Sequence, residues 1–322
     1  MAEDREAGRD RVSVVIPARN EGGRIGSVVR TVLGQATNET EVEVIVVDDG
    51  STDGTEGEAR AAGARVLGPG EAGGGNPAAA RNRGAAAATG SILVFLDADC
   101  LPVPGWLAAL LGGYRRGIDA VGGSLALPPG LPLFARCDHY CGTYHMHPRR
   151  KRGIVGHHTP CNLSVRKEAF AETSRFLAEG PASYAHEELH WQEELRARGG
   201  AILFEPSAKV YHHDRPGLVN LLRRNYRWGF SAVEAKAGRG TVRFSHLYGR
   251  PWVAVVMSLP LAIPSTVYVV FCWLRVGVYE PLLLFPLVLA ARIAYGFGMM
   301  IGGIRWLGRR RRASGEGGRD ER

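Results

Sequence analysis

The stretch VIVVDDGSTDGT, residues 44–55, opens with four consecutive β-branched aliphatic side chains and closes in two adjacent carboxylates followed by turn formers. Val44, Ile45, Val46 and Val47 have no polar position between them. They read as a strand covered on both faces, the pattern of a parallel sheet inside an α/β protein. Gly50, Ser51, Asp53 and Gly54 turn the chain directly afterwards. Asp48 and Asp49 therefore stand at the carboxyl end of a buried strand. Two like charges side by side are costly there unless something held at that strand end uses them.

The same grammar recurs on both sides. Residues 12–16 read as a first strand ended by Pro17, residues 20–23 as a turn, and residues 25–33 as a helix with apolar spacing near the helical period. Residues 42–47 form the second strand, 55–62 a short helix and 65–67 a third strand. GPGEAGGGNP, residues 68–77, is a flexible loop. Residues 78–88 are an alanine-rich helix with Gly90 just past its end, and residues 92–96 a fourth strand ended by Asp97, Ala98 and Asp99. Strands alternating with helices predict an α/β fold, Rossmann-like, with a mostly parallel central sheet and helices on both faces. Ligands of such sheets bind beyond the carboxyl ends of the strands. Residues 17–21, 48–49 and 97–99 all fall there.

Later segments add strand-like AILFEP and AKVYHHD after residue 200, then a basic amphipathic stretch, residues 218–236. Two apolar segments follow, 253–274 and 281–307. The first is long enough to cross a bilayer, which needs about 20 residues, and Pro260 and Pro264 are placed to kink it. Arg292 interrupts the second, at a cost of roughly 2.5–3.5 kcal/mol for a charge at bilayer centre. Basic residues crowd before the first segment and after the second, with only RVGVYE between them. The positive-inside rule puts both ends, and the domain before them, in the cytoplasm of a multi-pass cell-membrane protein.

The net charge of +8 is concentrated beside these apolar segments, so lipid is the expected basic-patch partner and nucleic acid is not. Five irregularly spaced cysteines suggest no disulfide framework and a reducing compartment. The polar start, MAEDREAGRD, carries no apolar signal segment. The expected organisation is a disordered tail at 1–10, a catalytic domain at 11–250 (nucleotide half 11–105, acceptor half 106–250), two transmembrane helices within 251–308 and a basic disordered tail at 309–322.

FLDADC, residues 95–100, places two carboxylates one residue apart after a buried strand. In an extended backbone they project to one side, which suits a divalent metal that also grips a diphosphate. The plainer reading, one solvated Asp and one capping Asp, wins for an isolated D-x-D but not beside a second acidic strand end. At this point VSVVIPARNEGGRI (12–25), VIVVDDGSTDGT, PAAARNRGAAAATG (77–90) and ILVFLDADC (92–100), in this order and spacing, resemble the nucleotide-sugar half of family 2 inverting glycosyltransferases of the GT-A fold. CNLSVRKEAF (161–170), HEELHWQEELRARGG (186–200) and VYHHD (210–214) continue the likeness over roughly residues 11 to 230.

The resemblance implies a role for each matched residue. Pro17, Ala18 and Glu21 line the nucleoside pocket. Asp49 meets the base or ribose with Asp48 beside it, Arg81 reaches the diphosphate through its fork of donors, Asp97 touches the ribose and Asp99 the metal. Asn162 and Arg166 shape the donor-sugar region, although a strand followed by a helix cap explains them too. An acidic pair opens a helix in this family, its second member usually Asp and acting as general base. Here the pair is Glu187 and Glu188, both candidate catalytic residues; Glu188 is the expected base and Glu187 the alternative. The family's later arginine on that helix is replaced by Glu194. His213, ahead of His212, is the expected histidine of a metal site that includes Asp97 and Asp99 and takes Mg²⁺ or Mn²⁺. A strand-end histidine satisfied by hydrogen bonds is the plainer reading of either.

CDHYCGTYHMHPRRKRGIVGHH, residues 137–158, has no C-x-x-C pair and fits no common zinc spacing. It reads as an acceptor-side loop. RRNYRWG, residues 223–229, resembles the Q-x-x-R-W signature of processive synthases, but Arg224 stands in the Gln position and two spans build no polymer channel. The expectation is a single-transfer enzyme using a UDP-, GDP- or dTDP-sugar and a lipid-borne or apolar acceptor. The alternatives are a sugar nucleotidyltransferase, which PARNEGG fits poorly because it carries Glu21, and a non-catalytic nucleotide-binding membrane partner, which only Glu in place of Asp favours.

Overall fold

The computed structural model describes residues 10–70, 74–180, 185–237 and 250–316. The chain forms two compact units. One comprises Met1–Pro128, Met146–Ala178 and Glu188–His213, the other Pro129–His145, Glu179–Glu187 and Asp214–Arg322.

The first unit is built on a nine-stranded sheet. Its strands are β1 (Asp10–Ala18), β2 (Thr40–Asp48), β3 (Arg65–Leu67), β4 (Ile92–Leu96), β5 (Cys100–Pro102), β6 (Ile118–Ala126), β7 (Gly153–Val155), β8 (Asn162–Arg166) and β9 (Ala201–His212). Its helices are α1 (Ile25–Leu33), α2 (Thr55–Ala61), α3 (Pro77–Ala87), α4 (Trp106–Leu111), α6 (Lys167–Ala171) and α7 (Leu189–Ala197). The strand order is β3-β2-β1-β4-β8-β6-β9-β5, with β7 on β9. The β3-β2-β1-β4 half is parallel throughout. Beyond it β8 runs antiparallel to β4 and β6, and β5 and β7 antiparallel to β9. The sheet is therefore mixed rather than mostly parallel.

The continuous apolar run in β2 is explained by burial on both faces. Val44 and Val46 join a core with Ile25, Val28 and Val32 of α1 and Trp106 of α4. Ile45 and Val47 face Ala78 and Ala85 of α3 and, farther along the same layer, Phe170 and Trp191. Asn76 starts α3 by accepting the Ala79 N–H at 3.0 Å, with Pro77 at the first helical position, where a missing N–H costs nothing. The expected strands AILFEP and AKVYHHD are one strand, β9, broken by an irregularity where Gly123–Glu205 pairing gives way to Ser124–Lys209.

The second unit is helical: α5 (Leu133–Gly142), α8 (Leu218–Lys236), α9 (Pro251–Met257), α10 (Ala262–Leu274), α11 (Glu280–Leu283) and α12 (Phe285–Glu316). Segments 129–145 and 214–237 thus group with the C-terminal helices rather than with the rest of an acceptor half. The expected first span, 253–274, is two helices of 7 and 13 residues separated by a turn that contains Pro260. Neither reaches the length of a span. The second expected span is α12, of which Phe285–Arg310 is long and apolar enough to cross a membrane. The basic run at 309–312 belongs to that helix, which continues to Glu316, so it is not a disordered tail there. Residues 1–9 and 317–322 of the expected tails lie outside the described residues.

Candidate active site

Two loops at the carboxyl edge of the parallel half are laced together. The Glu21 N–H donates to Thr55 Oγ1 at 2.8 Å, the Gly22 N–H to Asp53 at 3.0 Å, and the Thr52 N–H to the Asn20 side chain at 2.9 Å. The Thr55 hydroxyl, with the Thr55 and Gly22 N–H groups, holds the Asp53 carboxyl below its ordinary range. Pro17 and Ala18 end β1 in register with Val47 and Asp48. Glu21 is buried and lies 3.4 Å from Arg24.

Asp48 and Asp49 divide their labour. Asp48 accepts the Ser51 N–H at 2.8 Å and closes the turn. Asp49 accepts the Gly75 N–H at 2.6 Å, so the end of the glycine-rich loop docks on the β2 edge. Gly74 lies so close to the Asp49 carbonyl that no Cβ fits between them, and Gly75 has φ +98. Backbone donors thus already use both carboxylates, a use the sequence reading left to a ligand.

At the end of β4 the chain does not stay extended. The Cys100 N–H donates to the Asp97 carbonyl at 3.0 Å, so Asp97 and Asp99 flank a tight turn and meet different partners. Asp97 pairs with Arg81 at 2.7 Å. Arg81, buried on α3, rests on the Phe176 ring at 5.7 Å. Asp99 lies 3.5 Å from His212 Nε2, and Asp99, Cys100 and His212 bring their donor atoms within 4.8 Å of one another. Burial pushes the Cys100 thiol well above its ordinary value, so it stays protonated and is a poor ligand. Carboxylate oxygen plus imidazole, with Asp97 two residues away, is a donor set that fits Mg²⁺ or Mn²⁺. The imidazole at Asp99 is that of His212. His213 gives its backbone N–H to the Asp99 carbonyl at 2.9 Å, and its side chain lines a small cavity with Asp99, Arg24 and Ser27.

Glu188 is buried at the N-cap of α7. One turn later Trp191 packs edge-on against Phe176 at 5.7 Å, the ring under Arg81. Residues three apart share a helix face, so Glu188 lies on the Trp191 side of α7. Glu187 is buried too, but belongs to the helical unit. Glu194 is held by the Ser174 N–H at 2.6 Å and lies 3.3 Å from His190.

Asn162 and Arg166 do not join this group. The Asn162 side chain accepts the Trp106 indole N–H at 2.8 Å and donates to the carbonyls of Ser124 and Ala208 at 3.1 and 2.9 Å, so it braces three elements. Arg166 pairs with Ile92, at the opposite end of β4 from Asp97, and stacks on Tyr114 at 4.9 Å. Four residues of strand separate it from the acidic edge, about 13 Å. His158, from the histidine-rich segment, has both ring nitrogens 2.9 Å from carbonyl oxygens, of Thr159 and Gly123, and is structural.

A parallel nucleotide-type half, an arginine–aspartate pair and an aspartate–histidine pair at one strand edge define a GT-A enzyme. The chain belongs to glycosyl transferase family 2, whose model matches residues 13–173, and it is a glycosyltransferase. It is 30% identical over 236 residues to the glycosyltransferase AglE of Haloferax volcanii, covering 69% of this chain and 73% of that one. The mannosyltransferase PcManGT of Pyrobaculum calidifontis, solved with GDP-Man and Mn²⁺, shares the fold at TM-score 0.58 and 20% identity over 91% of this chain and 87% of that one. Glucosyl-3-phosphoglycerate synthase of Mycobacterium tuberculosis, solved with phosphoglyceric acid, aligns at TM-score 0.50 and 26% identity over 71% and 79%.

Proposed function

We propose that this chain is a metal-dependent, inverting, single-transfer glycosyltransferase that moves a sugar from a nucleotide sugar to a lipid-borne acceptor at the cytoplasmic face of a membrane. The observation that carries the reading is the pairing of Asp99 with His212 at 3.5 Å, next to Arg81 on Asp97 at 2.7 Å. One pair suits a divalent cation and the other a diphosphate. Pro17, Ala18, Glu21 and Asp49 then border the nucleoside, with Asp48 fixing the turn beneath it. Asp99 and His212 would hold Mg²⁺ or Mn²⁺, with Asp97 alongside. The bound cation supplies positive charge that neutralises the departing nucleoside diphosphate. Arg81 orients the diphosphate through its guanidinium. Glu188 accepts the proton of the acceptor hydroxyl as that oxygen attacks the anomeric carbon, and one displacement inverts the centre.

The membrane part of the reading rests on α12 and on the basic residues around it, which suit anionic headgroups. Among the described residues a single helix, rather than two, has the length of a span. The test is a panel of UDP-, GDP- and dTDP-sugars with and without Mn²⁺, scored by melting temperature and by nucleoside diphosphate released in the presence of membrane lipid extract. One donor class should raise the melting temperature only with metal, and its turnover should need the lipid. Release of pyrophosphate from a nucleoside triphosphate, or no donor turned over at all, overturns the proposal.

A further inference from the structure

The helical unit carries a large apolar face that nothing among the described residues covers. On α9 and α10 the exposed positions are Trp252, Val256, Ile263, Val267 and Phe271, four residues apart within each helix. On α12 they are Ile293, Phe297, Ile301 and Ile304. The opposite faces are buried, through Thr266, Val269 and Trp273 on α10 and Val288, Ala291 and Met299 on α12. A helix hairpin that crosses a bilayer meets lipid around most of its circumference. Here each arm has one side for the protein and one for something else.

What the protein side touches decides how the arms lie. α12 contacts α8 from Tyr295, whose carbonyl abuts Gly229, through Gly298 on Tyr226 and Gly302 on Phe230, to Arg309 on Glu234. At these three glycines no Cβ fits, so the backbones touch. Fourteen residue steps of helix are about 21 Å, two-thirds of a ~30 Å hydrocarbon core. Over that distance α12 lies against a helix bearing Arg223, Arg224, Asn225 and Arg227. Carrying α8 into the hydrocarbon would cost several kcal/mol per charge.

The turn between α10 and α11 is tied to the same polar layer. Glu280 lies 3.1 Å from Arg136 and accepts the Tyr140 hydroxyl at 2.6 Å, while the Trp273 indole donates to the Tyr140 carbonyl at 2.8 Å. Arg136 and Tyr140 sit on α5, and two residues from each is Asp138, which binds Arg224 of α8 at 2.8 Å. A tip on the far side of a bilayer would drag α5 with it. Basic side chains edge the apolar face at both ends: Arg275 by the tip, stacked on Phe271, and Arg305 and Arg310 at the other, stacked on Phe230 and Trp306. That arrangement complements anionic headgroups around an apolar interior.

We infer that α9–α12 form a hairpin lying in the plane of one leaflet, its apolar face among acyl chains and its tip on the same side of the bilayer as α8. The inference rests on the membrane part of the proposed function and deepens it. It makes the enzyme monotopic, with the acceptor reached from within one leaflet.

The test uses the full chain on sealed phosphatidylglycerol–phosphatidylethanolamine vesicles, with an impermeant maleimide reporting side. Tyr279→Cys at the tip and Arg223→Cys on α8 should react from the same side, above the background of the unsubstituted protein. Tip labelling only after the vesicles are opened, with Arg223→Cys labelled before, overturns the inference in favour of two crossings. Phe271→Asp combined with Val267→Asp should cut vesicle binding at least tenfold while nucleoside diphosphate release in detergent persists, which also shows that the variant folds. If the unsubstituted chain stays off vesicles as a soluble dimer that these changes make monomeric, a second copy covers the face and the inference is wrong. Failure of donor turnover with same-side labelling would sink the catalytic reading and leave this one standing.

Discussion

Glu188 carries the sharpest prediction. Glu188→Gln keeps the shape and removes the base, so turnover should fall by roughly 10²–10⁴, while the donor-induced rise in melting temperature stays near wild type. Unchanged turnover would remove Glu188 from the chemistry. The two neighbouring histidines separate just as cleanly. His212→Ala should raise the Mn²⁺ concentration for half-maximal turnover by about tenfold or more, and His213→Ala should leave it within about twofold. His158 gives a pH signature. Its ring faces two carbonyls with one proton to give, yet burial holds its affinity for a second proton below the ordinary value. The unfolded chain takes up that proton near pH 6.5, so stability should fall as pH drops through about 6.5 toward the depressed folded value and stay flat above it. The melting temperature of His158→Gln should slope less than wild type between pH 7 and 5.5.

At the scale of elements, the helix 25–33 and the strands 65–67 and 92–96 fall where the sequence places them, because apolar period and turn residues are local signals. The amphipathic stretch 218–236 is likewise α8 from end to end. The choice between the histidines was not local. β6 moves one residue, from Gly123 to Ser124, while β9 moves from Glu205 to Lys209. Nothing in the local sequence marks that irregularity, so the two strand-end histidines could not be told apart from it. The bracing role of Asn162 was not legible for a related reason: its partners on α4, β6 and β9 are distant in sequence and share one amide only in the folded sheet. Asn162→Ala strands an indole N–H and two carbonyls. It should cost about 2–4 kcal/mol in urea unfolding and leave donor KM nearly unchanged; a large KM effect without a stability loss would restore it to the donor pocket.

For the molecule as a whole, the acidic strand ends were legible because each lies beside its own strand, whereas the sorting of 129–145 and 214–237 into the helical unit depends on long-range ion pairs such as Arg224 with Asp138. Hydropathy counted two spans where burial shows one-sided helices, since periodicity weighs apolar content but not what the other face touches. Packing at the glycines offers a direct check: Gly302→Leu should destabilise the helical unit by roughly 1–3 kcal/mol or more and lower the melting temperature of the full chain in detergent. The pairing of Cys100 with His212 also has a consequence in time. β1 to β4 can assemble once the first hundred residues have left the ribosome, but β5 has no neighbour in the sheet until β9 is synthesised more than a hundred residues later. At 5–20 residues per second that is a delay of roughly 6–20 s. The Asp48–Asp49 strand end therefore leaves the ribosome long before Asp99 can meet His212, and the two acidic edges of one sheet are completed at opposite ends of synthesis.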